Sequence, residues 1–272
     1  MGQVCLNGNL TSMLISKIKW RLIWWLFKIK NTLGLKYSSV RLIGGGVLTV
    51  PNCDPMSAKI ACGESYEIEA RKKIFPMIKR GMTIIDIGAH IGYYTIPFSL
   101  KVGENGIVVA FEPNSDIRAQ LQNNLDQNNP RNVIVVPYAV SNKNSVTDFY
   151  VAQKNRGGYS SLKKNKDYEP AKKIRVETKK LDDVLDSLGI SEVDVIKIDV
   201  EGAEKLVFEG AKRLLTRKRK PIILFECNDA TCLPFGHNVF GVLKLLDSFG
   251  YDLEEIFFGE WIAIPKTKWG NF

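Results

Sequence analysis

The sequence predicts a doubly wound α/β fold, in which helices cover both faces of a mostly parallel sheet. Short apolar segments alternate with longer amphipathic ones between residues 66 and 265. That alternation is typical of strand–helix–strand units. The length of 272 residues fits one large α/β domain with an extension. We therefore expect an N-terminal amphipathic helix and irregular extension over residues 1–65, and a single sheet domain over residues 66–272.

The bulk composition is that of a soluble globular protein, with 45% hydrophobic and 25% charged residues. A net charge of +9 favours anionic partners. The five cysteines are odd in number and form no C-x-x-C pair. Neither a disulfide framework nor a zinc site is indicated, and a reducing, cytoplasmic location is the expectation.

Residues 10–35 are rich in Ile, Leu, Trp, Lys and Arg and predict a basic amphipathic helix. Its longest apolar run, residues 22–27, is too short to span a bilayer, and no signal-peptide cleavage site follows. Lys17, Arg21 and Lys28 share one face of the helix. The opposite face holds Ile15, Ile18, Leu22, Leu26 and Ile29. Such a stripe either packs on the sheet domain, packs on a second copy in a homo-oligomer, or lies on an anionic membrane as a peripheral contact.

The next segments lead into the sheet. Residues 36–65 contain three consecutive glycines and a short apolar alternation, which predict an irregular connection with a hairpin. Residues 66–79 have the apolar spacing of a helix.

The alternation that defines the fold then begins. Strands are predicted at residues 83–87, 106–111, 132–137, 193–199, 221–226, 251–257 and 261–264. Helices are predicted at residues 92–100, 114–128, 201–215 and 239–249. Residues 145–176 interrupt this order with a Lys-rich centre, and predict a hairpin or lid inserted over a site.

Acidic residues gather at the carboxyl ends of the predicted strands. Glu112 ends the second strand, Asp199 the fourth and Glu226 the fifth. In a sheet of this kind, ligands bind beyond the carboxyl ends of the strands, where the strand order reverses. These side chains are therefore expected at a ligand site.

The turn after the first strand discriminates between cofactors. Gly88 and Gly92 are present, but His90 fills the middle position of the dinucleotide pattern G-x-G-x-x-G. A side chain there would crowd a pyrophosphate. Glu112, which follows Gly88 by 24 residues (112 − 88), is placed to accept hydrogen bonds from both hydroxyls of a ribose. The pattern favours an adenosine without phosphates.

Five segments resemble the FkbM family of S-adenosylmethionine-dependent methyltransferases. They are IDIGAHIGYYT (85–95), VAFEPN (109–114), TKKLDDVL (178–185), DVIKIDVEGAEKLVFEGA (194–211) and IILFEC (222–227). The resemblance implies a Rossmann-like class I methyltransferase fold for residues 66–272. It also implies methylation of hydroxyls on small molecules, sugars or glycans. The family commonly has Asn in place of His90, and residues 1–35 lie outside the resemblance.

Site residues follow from the resemblance by position. The residues implied around the methionine half of the cofactor are Asp86, Gly88, Ala89 and Gly92, and His90 of the same turn is a further cofactor-binding residue. Glu112 would hold the ribose. Asn114, Ala139 and Val140 would lie near the adenine. Asp199 would approach the cofactor's amino group or the acceptor.

Methyl transfer is mainly a matter of aligning the acceptor with the methyl group, and a general base helps an alcohol acceptor to lose its proton. The candidate bases are Asp199, Glu226, His90 and His237. No metal is assigned, although Asp199, Glu226 and Asn228 are an alternative set of oxygen ligands for a divalent cation.

Two other functions remain open from the residues. One is a nicotinamide-dependent oxidoreductase, and the other is a non-catalytic binding protein anchored by its N-terminal helix. The basic run of residues 217–220 is interpreted as solvated charge near a helix end, so no nucleic acid partner is expected. The expected partner is a small-molecule or carbohydrate acceptor.

Overall fold

The computed structural model describes residues 7–63, 67–153, 160–164, 170 and 172–266, with side chains from residue 16 onward. The N-terminal elements are α1 (Asn7–Thr32), β1 (Tyr37–Arg41), β2 (Val47–Pro51), α2 (Pro55–Cys62) and α3 (Ile68–Ile74). β1 and β2 pair as an antiparallel hairpin, which confirms the hairpin predicted in this region.

Helix α2 was not predicted, because Pro55 at its start and Gly63 after its end were interpreted as loop residues. The local signal for it is a helix start. The Asp54 side chain accepts a hydrogen bond from the Met56 N–H at 3.1 Å, and Pro55 occupies the first helical position. Aspartate before the helix and proline at its first position are both favoured there.

The remaining strands are β3 (Thr83–Ile87), β4 (Ile107–Phe111), β5 (Val133–Val136), β6 (Ala139–Val140), β7 (Ser145–Val151), β8 (Lys172–Lys179), β9 (Val195–Ile198), β10 (Ile222–Glu226), β11 (Tyr251–Phe257) and β12 (Glu260–Pro265). The remaining helices are α4 (Thr95–Val102), α5 (Ser115–Asn128), α6 (Leu181–Ser187), α7 (Glu204–Gly210), α8 (Lys212–Leu215), α9 (Asp229–Cys232) and α10 (Val239–Ser248).

Seven strands form one sheet in the order β11-β12-β10-β9-β3-β4-β5. The strands from β10 to β5 run parallel, and β12 is antiparallel to both of its neighbours. The chain passes outward from β3 through β4 to β5, then returns to place β9 on the other side of β3. This reversal beside β3 is where a doubly wound sheet forms its ligand crevice.

Successive side chains of β3 point to opposite faces of the sheet, because a strand is pleated. Ile85 and Ile87 belong to the hydrophobic cluster that includes α6, α7 and α10. Ile84 belongs to the cluster formed with α3 and α4 on the other face. Helices therefore cover both faces, and the predicted doubly wound α/β fold is confirmed.

Two helix boundaries differ from those predicted. α4 begins at Thr95 rather than residue 92, because residues 88–94 form the turn that leaves β3. The helix predicted over residues 201–215 begins only at Glu204, and it divides into α7 and α8. Glu201 and Gly202 have φ values of 53° and 99°, and this left-handed conformation cannot continue a right-handed helix.

The insertion predicted at residues 145–176 is a hairpin. β7 and β8 pair in antiparallel register, and β6 joins the other edge of β8 in parallel. β8 extends to Lys179. Part of the Lys-rich centre, residues 154–159, 165–169 and 171, lies outside the described residues.

The N-terminal hairpin attaches to α5 through two asparagines one turn apart. Asn128 exchanges two hydrogen bonds with the backbone of Val47, at 2.8 and 2.7 Å. Asn124 accepts from the Thr49 N–H at 2.9 Å and donates to the Thr49 carbonyl at 3.2 Å. β2 and α5 also share a hydrophobic cluster. The predicted boundary at residue 65 between the N-terminal extension and the sheet domain stays a prediction.

The basic run at residues 217–220 is held by local partners. Arg219 forms ion pairs with Glu192 and Asp194. Arg217 donates to the carbonyl of Ser191 at 2.6 Å, and Lys220 donates to that of Phe249 at 2.5 Å. These contacts agree with the structural interpretation of the run.

Candidate functional site

A cleft of about 970 Å³, counting its open mouth, lies beyond the carboxyl ends of β3, β4 and β9. Its lining includes these residues predicted from the sequence: Asp86, Gly88, Ala89, His90, Glu112, Asn114, Ala139, Val140 and Asp199. The structure thus brings together every predicted cofactor residue except Gly92. Met56 and Ile60 of α2, with Phe149 and Leu162 of the hairpin region, add apolar walls.

Gly88 allows the turn after β3 to pass close to β9. Its φ is +81°, and a Cβ built there would lie 1.9 Å from the carbonyl oxygen of Asp199. The N–H groups of Gly88 and Ala89 both donate to the carbonyl of Phe111, at 3.1 and 3.0 Å. The turn is therefore fixed between the ends of β4 and β9, and a side chain at position 88 would not fit.

Glu112 lies against this turn with only 6% of its surface exposed. One carboxylate oxygen accepts from the His90 N–H at 3.1 Å, and the other accepts from the Asn114 N–H at 2.9 Å. Burial raises the pKa of Glu112 to about 7, although these two hydrogen bonds act in the opposite direction. Each oxygen can accept more than one hydrogen bond, so the carboxylate can still bind a pair of hydroxyls from the cleft.

Asp86 is fully buried at the end of β3. Its Oδ2 accepts from the Thr95 hydroxyl at 2.6 Å, whereas no described residue gives its Oδ1 a hydrogen bond. Burial raises the pKa of Asp86, and the charge of Lys197 opposes that rise. A buried acceptor without a partner beside a cleft is a binding position for a donor on a ligand, because native structures rarely leave such atoms unpaired.

Lys197 supplies the buried positive charge of the site. It lies on β9 and is 6% exposed, and its Nζ is 3.1 Å from Asp199 Oδ2. Burial lowers the pKa of Lys197, but the neighbouring carboxylates, led by Asp199, outweigh burial and raise it overall. Lys197 was not predicted as a site residue. A single lysine inside the apolar strand Val195–Ile198 is the signal that marks it.

Glu226 lies in a smaller pocket that adjoins the cleft and shares Glu67, Lys197 and Asp199 with it. Glu260 also lines this pocket. Burial and then the charge of a neighbouring carboxylate raise the pKa of Glu226 to about 8, and that of Glu260 to about 7. Glu67 and Glu260 were not predicted, because neither belongs to any of the motifs found in the sequence.

Three predicted site residues are absent from the described lining of the cleft: Gly92, His237 and Glu226, which lies in the adjoining smaller pocket. Gly92 has a φ of +99°, and a Cβ there would lie 2.9 Å from Leu121, so its absent side chain allows α5 to pack closely. His237 lies beside Phe235, with ring centres 6.1 Å apart. Burial and then the charge of Lys205 lower the pKa of His237. His90 does line the cleft.

The alternative cation site of Asp199, Glu226 and Asn228 stays a prediction. Among the described residues, the only three His, Cys, Asp or Glu side chains with ligand atoms within 4.8 Å of one another are Glu204, Cys227 and Cys232. The Asn228 side chain caps the start of α9, because its Oδ1 accepts a hydrogen bond from the Thr231 N–H at 3.0 Å. The pairing of Cys227 and Cys232, with sulfurs 3.3 Å apart, was not foreseen from their spacing.

Comparison with known proteins agrees with the motifs. The family model described as "Methyltransferase FkbM domain" matches residues 86–253. The 2-O-methyltransferase NoeI of Sinorhizobium fredii is 28% identical over 178 residues, which cover 61% of this chain and 71% of NoeI. The AMB antimetabolite synthetase AmbE of Pseudomonas aeruginosa is 27% identical over 173 residues. That match covers 52% of this chain but only 8% of AmbE.

Solved methyltransferases are more distant. Precorrin-6y C5,15-methyltransferase from Geobacter metallireducens superposes with a TM-score of 0.46 at 16% identity, covering 74% of this chain and 89% of that one. The family match spans more than half of the chain and excludes the nicotinamide-dependent alternative. The chain belongs to the FkbM family of S-adenosylmethionine-dependent methyltransferases, as its motifs predicted.

Proposed function

We propose that the cleft binds S-adenosylmethionine and that the protein methylates a hydroxyl oxygen of a small molecule, sugar or glycan. The unpartnered Oδ1 of Asp86 is the observation that carries the cofactor assignment. It is a buried acceptor on the wall of the cleft, and the amino group of the cofactor is a matching donor. The name of the relative NoeI, a 2-O-methyltransferase, supports oxygen as the acceptor atom.

The donor and acceptor groups of the cleft fit the rest of this cofactor. Glu112 presents two carboxylate oxygens to the ribose hydroxyls, while Gly88 and Ala89 leave room for the chain that carries the sulfur. Ala139 and Val140 offer apolar contact to the adenine near Asn114. S-adenosylmethionine supplies a methyl group bonded to a positively charged sulfur, which suits a cleft walled by carboxylates.

His90 contributes through its backbone in this proposal. Its φ is 49°, in the left-handed region, and its N–H donates to Glu112. Asparagine adopts that conformation more readily than most residues. The family's common Asn and this chain's His90 would therefore place the same N–H group against the ribose-binding carboxylate.

We propose Glu226 as the general base among the predicted candidates. The Asp199 carboxylate is already engaged within the protein, because it forms an ion pair with Lys197 at 3.1 Å. Glu226 has a pKa raised to about 8 by burial first and then by Asp199, so it holds a proton from a hydroxyl more strongly than an ordinary carboxylate. His237 lines neither the cleft nor the adjoining pocket, and His90 contributes through its backbone N–H, so the two histidines are the less favoured candidates.

Two measurements test the proposal. Calorimetry with S-adenosylhomocysteine should show binding by the wild type and its loss in Glu112→Ala. Transfer of labelled methyl to a panel of hydroxyl acceptors should then identify a substrate, and Glu226→Gln should lower kcat about a hundredfold while cofactor affinity stays the same. Binding without transfer to any acceptor would favour the non-catalytic alternative, and unchanged binding by Glu112→Ala would contradict the site. A homo-oligomer stays a prediction.

A further inference from the structure

Helix α1 has two apolar faces, and the protein buries only one of them. Trp20, Ile23, Trp24 and Phe27 pack against the hydrophobic cluster that includes α2 and the β1–β2 hairpin. Phe27 is 5% exposed. Of the three alternatives left open for the stripe that holds Ile18, Leu22 and Leu26, packing on the sheet domain is therefore wrong, because these side chains are exposed. Periodicity alone does not show which of two apolar stripes is buried.

The second face, which we call the outer stripe, points away from the protein. It consists of Ile18, Leu22, Trp25 and Leu26, which are 58%, 57%, 58% and 44% exposed, and continues into Leu33, which is 72% exposed. At 100° per residue these five positions fall within a sector of about 100° on the opposite side of the helix from Trp20 and Phe27. A contiguous stripe of this kind marks a surface that contacts a partner.

Basic side chains flank the outer stripe on both sides. Lys17, Arg21 and Lys28 lie along one edge on the same helical projection, and Lys19 and Lys30 lie along the other. Residues 1–53 contain seven basic residues and no Asp or Glu. Those seven are Lys17, Lys19, Arg21, Lys28, Lys30, Lys36 and Arg41. Most of the net charge of +9 therefore lies in the segment that presents the stripe.

We propose that α1 docks the protein on the surface of an anionic phospholipid bilayer, with the outer stripe inserted among the lipids. A second copy of the chain fits less well, because stripe-to-stripe packing would bring two rows of like charge together without an acidic residue between them. An anionic bilayer offers apolar and negatively charged surface together. Within the described part of the chain, every helix is too short or too polar to cross a bilayer.

The docking helix is one layer away from the cleft. α2 contacts α1, where the Cys62 thiol lies 3.8 Å from the carbonyl of Ser16. Met56 and Ile60 of the same helix line the cleft. Docking through the outer stripe therefore needs no rearrangement of the face that α1 buries, and it places the bilayer near the wall of the site.

Sedimentation of the full chain with vesicles tests the proposal. The wild type should bind vesicles that contain phosphatidylserine far better than vesicles of phosphatidylcholine alone, and added salt should weaken that binding. Leu22→Ser combined with Trp25→Ser should weaken it at least about tenfold, because two exposed apolar side chains are removed from the insertion. Lys17→Glu combined with Arg21→Glu should also weaken it.

The matched control is Phe240→Ser combined with Phe258→Ser, since these residues are 70% and 90% exposed elsewhere on the surface. It should bind vesicles as the wild type does, and all variants should keep the wild-type melting temperature. Brominated lipid should quench the tryptophan fluorescence of the wild type more than that of Trp25→Phe. The proposal would be overturned if the wild type failed to bind anionic vesicles, or if Leu22→Ser combined with Trp25→Ser bound them as well as the wild type does. It would also be overturned if brominated lipid quenched the wild type and Trp25→Phe equally, or if the wild type formed a dimer that Leu22→Ser combined with Trp25→Ser dissociates.

Discussion

Gly88 and Asp199 are in direct backbone contact, since a Cβ on Gly88 would lie 1.9 Å from the Asp199 carbonyl oxygen. The contact joins the turn after β3 to the end of β9, at the position where the strand order reverses. It leaves the Asp199 side chain free to pair with Lys197. The geometry of the cleft therefore depends on the absence of a side chain at position 88.

Gly88→Ala should separate the two strand ends and lower the free energy of unfolding by about 3 kcal/mol, because the added methyl group overlaps backbone atoms. S-adenosylhomocysteine should bind at least about tenfold more weakly, since the turn also lines the cleft. Urea unfolding and calorimetry measure the two effects.

Gly189→Ala is the matched control for this change. Gly189 also has a positive φ, +68°, but no atom lies within 4 Å of the added methyl group. This substitution should lower the free energy of unfolding by about 1 kcal/mol, only because alanine disfavours the left-handed backbone conformation. Ligand affinity should be unchanged. Equal destabilisation by the two substitutions would show that conformation, and not the contact with Asp199, explains the requirement for Gly88.

Glu112→Gln should change the pH dependence of stability in the unliganded protein. Burial raises the pKa of Glu112 from 4.5 to about 7 in the folded state. A raised carboxyl pKa stabilises the fold fully below pH 4.5, and that contribution of about 3 kcal/mol is lost as the pH rises through 7. The stability of Glu112→Gln relative to the wild type should therefore increase between pH 4.5 and 8.

Urea titrations at several pH values measure this difference. Any change in the hydrogen bonds to the His90 and Asn114 N–H groups adds an offset that does not vary with pH, so only the slope is informative. A stability difference that stays constant from pH 4.5 to 8 would contradict the raised pKa of Glu112.

The pattern of residues in the sequence was sufficient to predict the central strands and the residues at their carboxyl ends. β3, β4 and β9 are short apolar runs bounded by turn residues, and parallel strands necessarily bring their carboxyl ends to one edge. That is why Asp86, Glu112 and Asp199 could be placed in one cleft before its geometry was known.

The rest of the site depends on contacts between residues far apart in the chain. Glu67 and Glu260 meet Glu226 in one pocket although no local pattern connects them. The side of α1 that packs was also beyond prediction, because both of its stripes have helical spacing and only tertiary contact with α2 distinguishes them. The Asp54–Pro55 start of α2, in contrast, is a local signal from which this helix can be predicted.

Lys197→Met should destabilise the protein more at high pH than at low pH. Lys197 is the buried cation beside Asp199 and Asp86, and its loss leaves those carboxylates without their counter-charge. Removing one partner of a buried pair costs about 3 kcal/mol. The charge of Lys197 opposes the rise in the pKa of Asp86, so that pKa would rise further in the variant. The penalty is therefore smaller at low pH, where the Asp86 carboxyl is protonated, and grows as the pH rises.

Urea unfolding at pH 5 and pH 8 measures this difference. Lys101→Met is the control, because Lys101 is exposed near the end of α4. It should change stability by less than about 0.5 kcal/mol at either pH. A Lys197→Met penalty equal at the two pH values would indicate lost packing rather than lost charge.

Asn124→Ala should loosen the N-terminal hairpin from α5. Asn124 is fully buried, bonds both backbone groups of Thr49, and donates to the Ile91 carbonyl at 2.8 Å. Truncation removes the partner of the Thr49 N–H and of the Ile91 carbonyl, at a cost of about 2 kcal/mol in unfolding free energy. The Thr49 carbonyl keeps the Gln120 side-chain amide, which donates to it at 3.2 Å. Asn123→Ala, at the exposed neighbouring position of the same helix, should be neutral or slightly stabilising, because alanine favours the helix. Hydrogen exchange of the Thr49 amide should accelerate only in Asn124→Ala. Unchanged exchange there would show that packing alone, without the asparagine, holds β2 on the domain.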